Sequence, residues 1–96
     1  MIDDPDVGTV YMRVIMEIKR AEKLHPNYPA DHLRRTAIMV EEAGEALKAA
    51  VTLTRQDSPA SRYEFLVSDL VTELIHTTAM AFKQLIAMEK ERGRID

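Results

Sequence analysis

Apolar residues recur at helical spacing along the first quarter of the chain: Val7, Tyr11, Val14, Ile18 and Ala21, with Val10 and Ile15 widening the stripe. This predicts a first helix, opened by Asp4-Pro5 with proline at the first helical position and ended by Pro26 and Pro29, so that Leu24 to Ala30 is a loop. A second helix is predicted from about Asp31 to Thr54. Gln56-Asp57-Ser58-Pro59 breaks it, and Ser61-Arg62-Tyr63-Glu64 has the form of a capping box opening a third. The third runs to about Arg92, with Gly93 as its stop. No stretch alternates in the manner of a strand, so the expected fold class is all-α with three main helices.

The second helix has two apolar stripes. Val40, Ala43, Leu47 and Val51 form one; Ile38, Met39, Ala46 and Ala49 form another, offset by more than a quarter turn. The polar strip left between them is narrow: Arg34, Ala37, Glu41, Gly44, Lys48 and Arg55. Two further helices of one short chain cannot easily cover both stripes, and the third helix would measure roughly 45 Å, longer than a small globule needs. Homo-oligomerisation, as a homodimer or homotetramer completing four-helix-bundle cores, is therefore expected.

With 96 residues the chain is expected to be a single domain, 1–96, and without cysteine it cannot use disulfides to reinforce a small core. The acidic start, Met1-Ile2-Asp3-Asp4-Pro5-Asp6, lacks the basic and apolar regions of a secretory signal, and no apolar run in the sequence approaches about 20 residues. A cytoplasmic protein with no membrane partner is the expectation. A net charge of −3 and the lack of a basic run argue against nucleic acid; Arg34-Arg35 and Lys90-Glu91-Arg92-Gly93-Arg94 read as solvated helix surface.

The acids supply the candidate chemistry. Glu41 falls on the solvent strip, but Glu42 is flanked by Ile38, Met39, Ala46 and Ala49, and Glu45 sits one turn away on the same side. On the third helix Glu73 lies among Leu66, Leu70, Thr77 and Met80, with Asp69 and His76 at its border. Buried, unpaired carboxylates are costly and repel one another, and a divalent cation resolves both problems. The plainer alternatives are solvated surface and satisfied ion pairs, such as Glu45 with Lys48 or Lys83.

Glu41-Glu42-x-x-Glu45 followed by Glu73-x-x-His76 resembles the signature of the MazG-like all-α nucleoside triphosphate pyrophosphohydrolases, Glu-Glu-x-x-Glu and then Glu-x-x-Asp. Lys23-Leu24-His25-Pro26 and the run Glu73 to Ala81 are similar to segments of small MazG-like proteins from phage and mobile elements, so that the resemblance covers roughly Lys23 to Ile86. It implies hydrolysis of a nucleoside triphosphate to the monophosphate and pyrophosphate, with Mg²⁺ (or Mn²⁺ or another divalent ion) as cofactor. It also implies Glu42, Glu45 and Glu73 as metal ligands, with His76 in the fourth ligand position and Asp69 a candidate substitute, and Glu41 either as a group behind the ligands or as the catalytic residue orienting the attacking water. Lys23, His25, Lys48 and Lys83 are candidates for phosphate contacts, with Lys19 and Arg34 also in reach of that role.

The departure is His76, which stands where the family most often has a fourth carboxylate. Imidazole nitrogen suits Mn²⁺, Fe²⁺ or Zn²⁺ better than Mg²⁺. Glu-x-x-His is also half of a ferritin-like di-iron site, which a two-fold dimer could complete. A helical oligomer with a vestigial, inactive site is the third reading left open by these residues.

Overall fold

The computed structural model describes residues 3–55 and 60–96. Its helices begin and end where the local chemistry allows. α1 spans Asp4–Leu24, α2 spans His32–Thr54 and α3 spans Tyr63–Glu91, with a short 3-10 turn, Ala60–Arg62, leading into α3. Among the described residues there is no strand, as the all-α expectation required. Pro5 occupies the first turn of α1, where a missing N–H costs nothing. Asp31 caps α2, its side chain accepting the Leu33 N–H at 3.0 Å. Gly93, at φ 72°, closes α3: its N–H donates to the Lys90 carbonyl at 3.0 Å, and that of Arg94 to Glu89 at 2.8 Å.

Two expectations need correction. Ser61 does not cap α3, because it already lies inside the 3-10 turn, whereas a capping residue needs extended backbone; Arg62 holds the cap position and its side chain makes no capping hydrogen bond. Nor is Arg35 solvated helix surface, since its side chain is buried. By length and composition alone the helical stretch Ala60–Glu91 is long and apolar enough to cross a bilayer. A helix buried between protein neighbours has the same composition, and this one carries Glu73 and His76 near its middle. The expected break at Gln56–Pro59 lies outside the described residues.

α3 is the central element. α1 and α2 each pack on it and do not approach one another, so a gap opens between them over the α3 surface. Val14 and Ile18 of α1 bury against Ala79 of α3, with Ile15, Ile75, Met80 and Phe82 around them. Ala79 is fully buried, its small side chain permitting the close crossing. Tyr11 meets Phe82 edge to face, 6.1 Å between centroids. On the other side α2 buries Ala46 and Ala49.

This core is thin. Among the described residues no large side chain is fully buried, and the radius of gyration is 15.6 Å against about 12.5 Å for a compact domain of this length. Of the two stripes on α2, the one containing Ala46 and Ala49 faces α3. The other remains in solvent, with Val40, Leu47 and Val51 at 58, 66 and 49% exposure.

Candidate metal centre

Spacing on each helix brings the acids together. On α3, Glu73 and His76 are three residues apart and share a face; α2 sets Glu42 opposite them. Nδ1 of His76 lies 3.7 Å from Glu42 Oε2 and 3.8 Å from Glu73 Oε2. These separations are too long for hydrogen bonds. They match two donor atoms on one ion: at about 2.1 Å per bond, ligands of an octahedral ion stand roughly 3 to 4.2 Å apart. The oxygens concerned, Oε2 of Glu42 and of Glu73, are buried and have no hydrogen-bond partner. Glu42, Glu73 and His76 offer three ligand atoms within 4.8 Å of one another. A divalent cation fits this donor set, since two orphaned carboxylate oxygens and an imidazole nitrogen converge on one point.

The electrostatics agree. Burial pushes the Glu73 carboxyl above its ordinary range, and the Glu45 carboxyl, within hydrogen-bonding reach, pushes it further by hydrogen bond and by charge. His76 works in the opposite direction and Glu42 adds to the rise. Without a cation, Glu73 therefore holds a proton more tightly than a free glutamate does.

A fourth acid, Glu17 of α1, stands at the other edge of the imidazole, its Oε1 3.5 Å from Nε2 of His76. Arg20 grips it, Nε donating to Oε2 at 2.8 Å and to Oε1 at 3.1 Å. That hydrogen bond holds the Glu17 carboxyl below its ordinary range despite partial burial, with His76 contributing.

The gap between α1 and α2 forms a cavity of about 390 Å³ beside the cluster. Glu17, Glu42 and His76 line one side; Arg20, His25 and Lys83 bring cationic or protonatable groups; Ile38 and Met80 supply apolar wall. Tyr28 lies under Lys83, whose Nζ is 4.1 Å from the ring centroid, with the Arg35 guanidinium at 5.4 Å. Arg35 is buried, donating to the Pro29 carbonyl at 2.7 Å and pairing with Glu91 at 3.1 Å, which fastens the 25–30 loop at the cavity edge.

Of the residues singled out in the sequence, Glu42, Glu73 and His76 meet in one cluster, and Glu45 reaches Glu73 from the side. Asp69 does not join them; with Glu45, Lys48 and Glu73 it lines a separate hollow of about 290 Å³. His25 and Lys83 line the main cavity, whereas Lys48 is on the other hollow. Glu41, Lys19, Lys23 and Arg34 are exposed and stand outside both; Arg34 lies 3.8 Å from Asp31.

Sequence reasoning missed Glu17 and Arg20. The signal was present, since Glu17 is three residues after Val14 and four before Ala21, an acid inside an apolar stripe like Glu42 and Glu73. No family model, curated protein or solved structure matches this sequence.

Proposed function

We propose that the protein is a metal-dependent nucleoside triphosphate pyrophosphohydrolase working as a homo-oligomer. The observation that carries it is the convergence of two unpartnered carboxylate oxygens and an imidazole nitrogen beside a cavity that His25 and Lys83 also line. A triphosphate needs both, a cation between its oxygens and the acids, and basic side chains on the remaining charge. The cavity volume also falls in the range of small-molecule sites.

Glu42, Glu73 and His76 would hold the cation, with Glu45 beside them. When bound, it would neutralise phosphate charge and lower the pKa of a coordinated water. His25 and Lys83, which line the cavity, would take phosphate oxygens, while Arg20 stays on Glu17. Water attacks the α-phosphorus, the bond to the bridging oxygen breaks, and pyrophosphate leaves, the proton passing to a carboxylate of the cluster. A ferritin-like di-iron site has no use for basic side chains such as Lys83 and His25 beside it, which favours the phosphate reading.

The test is pyrophosphate release from a panel of nucleoside triphosphates with Mg²⁺ or Mn²⁺. Metal-dependent release of equal amounts of monophosphate and pyrophosphate is expected. Ferrous oxidation without release would replace this proposal by the di-iron one.

The uncovered α2 stripe supports the oligomer. Light scattering at micromolar concentration should return a multiple of the 10.9 kDa chain mass, and Leu47→Glu should move the population toward single chains. A folded wild-type monomer would remove this part of the proposal.

A further inference from the structure

We propose that Glu17 is a positioning residue for the metal centre: it holds the Nε2–H of His76 and so directs the Nδ1 lone pair at the cation. This rests on the metal-centre reading above.

An imidazole ring has a nitrogen at each of two edges, and the partner of one decides the state of the other. Here the two edges face different groups. Nδ1 is turned to Glu42 and Glu73, at 3.7 and 3.8 Å, while Nε2 is turned to Glu17, at 3.5 Å. Glu17 is therefore no co-ligand; the cluster of atoms able to share one ion contains the other three residues and not this one. At 3.5 Å it is a short movement from hydrogen-bond distance, on the ring edge from which a carboxylate accepts the proton of a ligating histidine, fixing the tautomer, setting the ring plane and raising ligand basicity.

Glu17 is itself held. The Nε contacts from Arg20 fix the carboxylate on α1, three residues from its anchor, before anything binds at Nδ1. The order is Arg20, Glu17, His76, cation, reaching from α1 to α3. A glutamate so placed has no purpose opposite an aspartate ligand, which has no N–H to donate. Glu17 and His76 thus form a matched pair suited to an ion that accepts nitrogen, such as Zn²⁺ or Mn²⁺.

The experiment measures Zn²⁺ binding by calorimetry on the whole chain, for wild type, Glu17→Ala, Glu17→Gln and Glu42→Gln, with circular dichroism to establish helix content. Nitrogen-15 spectra of His76 in the Zn²⁺-loaded protein report which nitrogen is coordinated and how fast its N–H exchanges. Glu17→Ala should weaken Zn²⁺ binding on the order of ten- to a hundredfold and speed exchange of the Nε2 proton. Glu17→Gln, whose amide oxygen still accepts, should lose less; should the alanine variant unfold, this variant decides. Unchanged affinity in the folded Glu17 variants, or coordination through Nε2, would overturn the proposal while leaving the centre standing. Wild-type affinity in Glu42→Gln would instead remove the centre itself, and the role of Glu17 with it.

Discussion

His76→Asp is expected to raise Mg²⁺ affinity about tenfold, a change of about 1.4 kcal/mol, and to start or increase Mg²⁺-dependent pyrophosphate release. The substitution exchanges a nitrogen donor for a hard oxygen and adds a negative charge where the carboxylates Glu42 and Glu73 already converge. Two features of the site oppose the gain. Aspartate reaches less far from α3 than histidine does, and Glu17 would face a carboxylate in place of Nε2, a repulsion that Arg20 only partly offsets. Adding Glu17→Gln should therefore increase the Mg²⁺ effect in the aspartate background, whereas alone it weakens Zn²⁺ binding. Calorimetry with both ions and a pyrophosphate assay check these outcomes. Unchanged Mg²⁺ affinity and unchanged hydrolysis in His76→Asp would place that side chain outside the functional centre.

Replacing Glu42 or Glu73 by glutamine should abolish the thermal stabilisation that a divalent ion gives the wild type. Mass action sets that stabilisation at about 2.7 kcal/mol when the ion is at a hundred times its dissociation constant, or roughly 10 to 20 °C for a domain of this size. Without metal the sign reverses for Glu73. Its carboxyl has a raised pKa, from burial first and then from Glu45. A group whose pKa rises on folding contributes stability that is present in acid and is lost as pH climbs through the raised value. The metal-free wild type loses that contribution as pH rises above the ordinary glutamate range, so Glu73→Gln should melt higher than wild type at pH 7. The difference should vanish toward pH 4. Melting curves across this range, with and without ion, separate the two effects; a variant that keeps the full metal shift would exclude its residue as a ligand.

Much of the fold was legible because proline, aspartate and glycine act locally. Pro5, Asp31 and Gly93 begin or end helices within a residue or two of where their chemistry places them. Ser61 misled because a capping-box pattern does not reveal that the backbone is already turning in 3-10 geometry. In the site, Glu42, Glu73 and His76 could be read from helical spacing alone, since each is an acid or its neighbour inside an apolar face. Glu45 was placed beside Glu73 only by the packing of α2 on α3, whereas Asp69 stands about two turns from His76 on the same helix and lines the other hollow. Glu17 belongs to a helix more than fifty residues away in sequence, and its contact with His76 depends on how α1 crosses α3, which no local pattern states.

The thin core has a consequence for how stability is measured. A chain that leaves Val40, Leu47 and Val51 in water, and among its described residues buries no large side chain completely, keeps much of its apolar surface available to a second copy. If copies cover that surface, folding and association become one equilibrium, and each tenfold dilution subtracts about 1.4 kcal/mol from a dimer's free energy. A melting temperature then belongs to a protein concentration and not to the sequence. Dilution to the nanomolar range, routine in enzyme assays, would withdraw several such increments, and with them the helix packing that holds Glu42 opposite His76.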